Sequence, residues 1–523
     1  MAISVKSPIA KGLRESENVA LMPAADTSIT ILAAGKGTRM RSSLAKVLHQ
    51  AGGLTLIEHV IRAAQLLKPA QLLAVVGHQA EEVSNVVTSL GAQTILQQPQ
   101  RGTGHAMQVA RRAIRKSAKL AIVVPGDAPL LRTETLAALL DTHRRGEAAA
   151  TILTAEIADP SGYGRIVRDS EGRVQTIVED GKATPEQRAI NEVNSSIYCF
   201  TLAKLWPCLA ALRPNNMHRE LYLTDAISML RERNERVLAY IAPDANEVLG
   251  CNTRAHLADI DRIFRARKAA ALMDSGVTIY LPETVIIDPE VTVGADTIIE
   301  PGVRLLGRTR VGANCRIGAG CILFDMRVDD DVQIFPQSNL ASARVASRAQ
   351  IGPFARLRPG ADILAGAHIG NFVEVKNSVI REGAKAMHLT YLGDASVGRE
   401  SNIGAGTITC NYDGVAKQHT AIGSRVFIGS DTALVAPVRV GDGAYVAAGS
   451  VITDNVPPDA LGIARGRQAN KPGWARARRR ELSAAAKPKS RSRAKPNARR
   501  APSKSRTKRA RLAKRPRTKS RRG

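Results

Sequence analysis

Between residues 285 and 456 an aliphatic residue followed by glycine keeps returning: Val293-Gly294, Val311-Gly312, Ile317-Gly318, Ile351-Gly352, Ile369-Gly370, Val397-Gly398, Ile403-Gly404, Ile422-Gly423, Ile428-Gly429 and Val440-Gly441. Many of the spacings are 6, 12 or 18 residues. A six-residue period is the signature of a parallel β-helix. Each hexapeptide makes one short side of a triangular coil, with the aliphatic side chain inward and glycine permitting the tight corner. At eighteen residues per coil the stretch holds roughly ten coils. The period breaks between 369 and 397 and again between 403 and 422, so loops are expected to bulge out there. Repeats alone fit a scaffold or regulatory domain as well as an enzyme.

The first half of the chain has a different texture. From residue 28 to 252, short apolar runs at 28–33, 72–76 and 120–124 alternate with helical patterns at 58–67, 80–90 and 104–114. Strand then helix, repeated, predicts an α/β domain around a largely parallel sheet, whose ligands bind beyond the strand carboxyl ends. The two stretches richest in chemistry, after Ala33 and after Val124, fall at such ends. Residues 253–274 are expected to form one long helix linking this domain to a coil domain at 275–474.

With 523 residues the chain has room for two or more cores. Its net charge of +28 would point to nucleic acid if evenly spread. Residues 475–523 hold 22 Lys and Arg against the single acid Glu481, which leaves +7 on everything before them. The basic character belongs to an appended tail, expected to be disordered because it has too few apolar side chains to bury. Contact of this tail with polyanions would be non-specific, since it has no aromatic residue beyond Trp474 at its start. Residues 1–27 lack a signal-peptide core and are expected to be a disordered extension. No apolar run reaches the length of a membrane span, so a cytoplasmic protein is expected. The cysteines at 199, 208, 251, 315, 321 and 410 form no C-x-x-C pair or metal-site spacing, which suits scattered reduced thiols.

Leu32-Ala33-Ala34-Gly35-Lys36-Gly37-Thr38-Arg39-Met40 follows the first strand. Its glycines let the backbone approach phosphate oxygens, and its alanines leave room for a base and ribose. Lys36, Arg39 and Lys46 would neutralise a triphosphate. The full string resembles the signature of the sugar-nucleotide pyrophosphorylases. The resemblance continues through Gln97 and Arg101-Gly102-Thr103-Gly104-His105-Ala106, then Gly126-Asp127, Gly162-Tyr163-Gly164-Arg165, Glu179, Asn194 and Gly250-Cys251-Asn252. It implies that Leu32, Ala33, Ala34, Gly35, Lys46, Gln97, Gly102, Thr103, Gly164, Glu179, Asn194 and Asn252 contact UTP or the UDP-sugar. It also implies that Arg39 is catalytic, and that Asp127 and Asn252 hold Mg²⁺. One carboxylate and one amide oxygen suit that ion, which keeps waters and takes further ligands from phosphate. Ala45, Pro125, Cys251 and Ser195-Ser196 stand where the family usually has Pro, Tyr, Val and Thr-Gly. None of these departures removes a charged or metal-binding group.

The coil segment also carries polar strings: Arg356-Leu357-Arg358-Pro359-Gly360, Asn371-Phe372-Val373-Glu374-Val375-Lys376, His388-Leu389-Thr390-Tyr391-Leu392-Gly393-Asp394, Asn402-Ile403-Gly404-Ala405-Gly406-Thr407 and Cys410-Asn411-Tyr412-Asp413-Gly414. They resemble the acetyltransferase half of the bifunctional family that acetylates glucosamine 1-phosphate and joins the product to UMP. The implied fold is a Rossmann-like α/β nucleotidyltransferase followed by a left-handed parallel β-helix. Arg358, Lys376, Tyr391 and Asn402 would hold the sugar phosphate. His388 would be the general base, and Glu374 would orient His388 or the amine. Ala405, Asn411, Tyr412, Ser430, Ala448 and Arg465 would contact acetyl-CoA. The family's coils pack as homotrimers with sites between subunits. The alternative is a single-activity pyrophosphorylase whose coil is regulatory; a nucleic-acid-binding protein rests on the tail alone.

Overall fold

The structure, a computed structural model, describes residues 24–214 and 220–486. Residues up to Arg465 form one compact unit, and those from Gly466 a second. The first unit begins with strands β1 (Thr27–Ala33), β2 (Gln71–Val76), β3 (Gln93–Leu96), β4 (Leu120–Pro125), β5 (Ala150–Glu156), β6 (Arg165–Arg168), β7 (Val174–Val178), β8 (Glu192–Thr201) and β9 (Val237–Ile241). They make one sheet in the order β9-β5-β8-β4-β1-β2-β3, with β6 joined to β8 and to β7. Along that path only β8 runs antiparallel to its neighbours. Strands β2 and β4 are buried on both faces, which is why they read as unbroken apolar runs. Alternate residues feed two cores: Leu72 and Ile122 on one side, Leu73 and Val123 on the other.

Helices α1 (Leu56–Gln65), α2 (Ala80–Ser89), α3 (Thr103–Ala110) and α4 (Thr133–Arg145) belong to this domain. Helix α1 opens on a capping box, in which Thr55 and Glu58 satisfy each other's backbone N–H groups. The helix expected at 253–274 is α5 (Arg254–Asp274), capped by Thr253, whose hydroxyl accepts from His256 N at 3.1 Å. Its first half packs Leu257, Ile260, Ile263 and Phe264 against Met40, Leu56, Leu130 and Cys251. Its second half contributes Ala269 and Leu272 to the core of the coil.

From Thr278 the chain winds through three sheets of 11, 10 and 9 strands. Every strand pairs in parallel with the one a coil further on, as Ile299↔Ile317↔Ile334↔Ile351↔Ile369 does in the first sheet. These isoleucines point inward, stack on one another and are buried throughout. The step from coil to coil is 18 residues at Ile299↔Ile317 but 17 at Ile317↔Ile334.

Two sequence expectations about the coil need correction here. No loop bulges out between 369 and 397: the column runs on as Ile369↔Ala386↔Ile403 through two 17-residue coils. Ala386 fills the inward place without a following glycine and so hides the period. The break between 403 and 422 does hold an excursion, at 411–419 between strands Ile408–Cys410 and Thr420–Ile422. The repeat glycines also serve another purpose than expected. Apart from Gly352, none of the ten has a positive φ; the left-handed corner lies two residues on, as at Asp296, Asn314 and Arg425. Glycine is needed because the next coil passes too close for a side chain. A Cβ on Gly294 would stand 2.6 Å from Ala313 N.

Both expected disordered ends also shrink. Ala24 is buried in the α/β core and Thr27 starts β1. In the second unit, α6 (Trp474–Ala485) is helical with every residue exposed, as befits a run of Ala, Arg, Leu and Glu. The rest of the two predicted disordered segments, 1–23 and 487–523, lies outside the described residues. All six cysteines are free. Among the described residues no helix is long and apolar enough to cross a membrane.

Candidate active sites

A cleft of about 1000 Å³ opens at the carboxyl ends of β1 and β4. Its walls include Leu32, Ala33, Ala34, Gly35, Lys36, Lys46, Gln97, Gly102, Thr103, Asp127 and Glu179. Gly37 has φ +60, and a Cβ there would lie 2.6 Å from the Lys46 Cβ, so the loop demands glycine twice over. Lys46 crosses it and makes a short ion pair with Asp127 Oδ2, with its Nζ 3.3 Å from Asn252 Oδ1. Asn252 Oδ1 also accepts from Arg39 at 2.9 Å. The Cys251 N–H donates to the Asp127 carbonyl at 2.9 Å and ties these two distant turns together. Burial, then the charge of Asp127, pushes the Cys251 thiol up to about 11, so it is an inert buried group.

Gln97 is buried, and its Nε2 lies 3.0 Å from both the Gly102 carbonyl and His105 Nδ1. Burial, reinforced by Arg101 and Arg112, holds the His105 pKa below its ordinary value. The neutral ring accepts at Nδ1, which orients the Gln97 amide. Asn194 borders the cleft through its N–H to the Gly164 carbonyl (2.8 Å) and its Nδ2 to the hydroxyl of Tyr198 (2.9 Å). Burial, then Asp225, raises the Glu179 pKa. Tyr198, Ser196 and Tyr222 also line the wall. Sequence reasoning did not assign them to the wall: Tyr198 lies in a strand that reads as core, Ser196 stood out only as a departure from Thr-Gly, and Tyr222 carries no motif.

The fit to a metal ion can be judged from the donors. Asp127 Oδ2 and Asn252 Oδ1 converge on the Lys46 ammonium, a cation held by hard oxygens. Among the described residues no cluster of three or more His, Cys, Asp or Glu is poised to hold a metal. Two oxygens suit a hard divalent ion whose other ligands are phosphate and water.

The second cluster lies on the coil. Register places Arg356, Glu374 and Tyr391 in one ladder of the second sheet. Arg358 donates to Glu374 Oε1 at 2.8 Å. Lys417, from the 411–419 excursion, lies against Lys376 and lowers its pKa. Burial raises the Asp394 pKa, but the bonds it accepts from Asn377 (2.6 Å) and Asn411, with the charges of Lys417 and Lys376, outweigh this and lower it. A Cβ on Gly393 would stand 2.8 Å from Asn411 Nδ2 and would also meet the Tyr391 hydroxyl, so glycine makes room for both. Tyr412 is exposed, and its hydroxyl donates to the Gly414 carbonyl at 2.7 Å.

His388 ends a first-sheet strand at the corner that leads into the second sheet. The same corner continues down the coil through Ala405, Ser430 and Ala448. Asp431 N donates to the Ala405 carbonyl (2.7 Å), Gly449 N to that of Ser430 (2.8 Å) and Arg465 to that of Ala448 (2.7 Å). Asn402 stands on the first sheet, between Lys385 and Phe427. The four sugar-phosphate candidates thus divide between two faces of one chain. Glu374, expected to orient His388 or the amine, is taken by Arg358; the residue facing His388 Nδ1 is Asn371, with Oδ1 at 3.2 Å.

Residues 29–221 match the family model of the MobA-like NTP transferase domain. Residues 290–325 and 419–454 match that of the bacterial transferase hexapeptide repeat. The chain is 49% identical over 458 residues to the bifunctional protein GlmU of Koribacter versatilis, covering 87% of this chain and 97% of that one. It is 50% identical over 454 residues to that of Solibacter usitatus, with 87% and 97% covered. With that of Mycolicibacterium gilvum it shares 45% over 468 residues, covering 88% and 94%. The chain belongs to the GlmU family. It is a bifunctional enzyme of UDP-N-acetylglucosamine synthesis, with glucosamine-1-phosphate N-acetyltransferase and N-acetylglucosamine-1-phosphate uridylyltransferase activities. The alternative of a single-activity pyrophosphorylase with a regulatory coil is not favoured. GlmU uridylyl transfer generally uses a divalent metal. The sugar phosphates, acetyl-CoA and UTP are the substrates.

Proposed function

We propose that the two activities divide between the two clusters: uridylyl transfer in the α/β cleft, acetyl transfer on the coil. The observation that carries the first half is the convergence of Asp127, Asn252, Lys46 and Arg39 at the strand ends. The backbone of Leu32, Ala33, Ala34 and Gly35 cradles UTP, with Gly102 and Thr103 beside the base. The amide of Gln97 reads the uracil edge, its NH₂ being engaged by Gly102 and His105. Gly164, Glu179 and Asn194 hold the sugar. The phosphate oxygen of N-acetylglucosamine 1-phosphate attacks the α-phosphorus of UTP in line, and pyrophosphate leaves. Arg39 and Lys46 neutralise charge as it moves onto the departing pyrophosphate. Asp127 and Asn252 would hold Mg²⁺, which when bound neutralises phosphate charge.

On the coil, Arg358, Lys376 and Tyr391 bind the phosphate of glucosamine 1-phosphate, joined by Lys417, which lies against Lys376. His388 takes a proton from the 2-amino group as its nitrogen attacks the thioester carbonyl of acetyl-CoA. A backbone amide or Asn411 stabilises the oxyanion, and CoA leaves as the thiol after taking up that proton. Ala405, Asn411, Tyr412, Ser430, Ala448 and Arg465 hold acetyl-CoA along the corner. Three copies pack side by side, so that the Arg358 face of one coil meets the Asn402 face of the next. The enzyme works in the cytoplasm, and its basic tail makes non-specific contacts with polyanions through charge alone.

A coupled assay tests the division of labour. Glucosamine 1-phosphate, acetyl-CoA and UTP together should release CoA thiol and then pyrophosphate. Glucosamine 1-phosphate and UTP without acetyl-CoA should release almost none. Prompt pyrophosphate release without acetyl-CoA would overturn the assigned order.

A further inference from the structure

A histidine that takes a proton from an amine must present an unprotonated nitrogen, and something must decide which of its two nitrogens that is. The expected device, the Glu374 carboxylate, is bound to Arg358 at 2.8 Å. In its place stands a neutral amide. Asn371 and His388 are register partners on successive coils, and Asn371 Oδ1 lies 3.2 Å from His388 Nδ1. The backbone holds the pair in place: Leu389 N donates to the Asn371 carbonyl at 3.0 Å. Phe372, which follows Asn371, and Leu389, which follows His388, both turn through left-handed corners, φ 59° and 47°. The two side chains therefore leave the coil at the same corner, one above the other.

We infer that Asn371 is the positioning residue of the acetyl-transfer base. Its amide oxygen accepts from His388 Nδ1–H, which fixes the tautomer and leaves Nε2 bare toward the substrate amine. An amide does this differently from a carboxylate. It accepts the same hydrogen bond but puts no negative charge beside the ring, so it does not favour the imidazolium. The neighbours add no competing charge. Phe372 and Leu389 are apolar, Ala405 and Gly406 on the next coil carry no charged side chain, and Glu374 is paired to Arg358. Lys385, earlier on the His388 strand, lies in the ladder between His368 and Asn402.

This inference rests on His388 being the base, and the test separates the two. Asn371→Leu, Asn371→Asp and His388→Ala are compared with wild type by CoA thiol release across pH, on full-length protein. An unchanged melting temperature reports that the coil of each variant is folded, and pyrophosphate release from N-acetylglucosamine 1-phosphate and UTP reports that the α/β half is intact. Asn371→Leu should lower kcat by roughly 10-fold or more, short of the loss in His388→Ala, with KM for both substrates nearly unchanged. Asn371→Asp keeps the acceptor and nearly the same shape, so it should retain kcat at high pH. Its acidic limb should move up by about one pH unit, because the new carboxylate favours the imidazolium. An acidic limb that superimposes on wild type in Asn371→Asp, or an unchanged kcat in Asn371→Leu while His388→Ala is inactive, would overturn the positioning role. If His388→Ala itself kept wild-type thiol release, the base assignment would fall first.

Discussion

Replacing His388 with alanine should divide this enzyme into its two halves. The side chain is exposed, and among the described residues the side chain it meets is Asn371, with Oδ1 3.2 Å from its Nδ1. Its removal leaves no cavity and no buried orphan, so the stability cost should stay within about 0.5 kcal/mol. The kinetic cost should be far larger. A positioned general base contributes about 10²–10⁴-fold, which is about 3–5 kcal/mol of barrier. CoA thiol release should fall by that factor with the melting temperature unchanged. Pyrophosphate release from N-acetylglucosamine 1-phosphate and UTP should stay near wild type, because the α/β cores and the coil core are separate clusters joined through α5. Asp127→Ala should do the reverse: it deletes one of the two oxygens around Lys46 and should remove most uridylyl transfer while sparing thiol release. Both reactions are read on both variants by a thiol reagent and a pyrophosphate-coupled assay. A folded His388→Ala protein that had lost both activities would refute the assignment of one reaction to each domain.

Chelation with EDTA should abolish pyrophosphate release and leave thiol release intact; full uridylyl activity in EDTA would remove the metal from Asp127 and Asn252. His143 on α4 is enclosed by the hydroxyls of Thr151 and Thr201, both at 3.0 Å, and burial with the charge of Arg144 lowers its pKa from 6.5 to about 4. The unfolded chain gains a proton below 6.5 that the native ring refuses, so this stability is complete above that pH and drains away toward pH 4, by about 3 kcal/mol at most. Urea midpoints of wild type should fall across that window and those of His143→Gln should fall less; parallel curves would contradict it. Ser196 sits at φ 63° in the β8 bulge, where the family usually has glycine. Left-handed backbone costs a non-glycine residue about 1–2 kcal/mol, partly offset by the entropy glycine loses on folding, so Ser196→Gly should stabilise by up to about 1 kcal/mol. A lower melting temperature would count against that strain.

What could be read from the chain follows from what each residue's environment required of it. Strands β2 and β4 were legible because burial on both faces leaves only apolar side chains. The coil was legible wherever an inward aliphatic residue preceded a glycine, and illegible at Ala386, where a small side chain filled the column and the step shortened to 17. The nucleotide loop was legible as one contiguous string, because phosphate is held by consecutive backbone groups. Tyr198 was not, since its strand reads as core, nor was Lys417, which lies just past the Cys410–Gly414 string in the loop that the broken period foretold. The place of Glu374, on Arg358 rather than His388, teaches most. In a coil of this kind, side chains meet when they are one turn apart. Asn371 and His388 are separated by 17 residues, as are Asn377 and Asp394 (2.6 Å) and also Asp394 and Asn411. Arg358 and Glu374 are 16 apart and also meet. Glu374 and His388 are 14 apart, less than a full turn, so Glu374 belongs to the next side of the prism. Had the 17-residue step been recognised through the 369–397 gap, counting back one turn from His388 would have reached Asn371 before any carboxylate was considered.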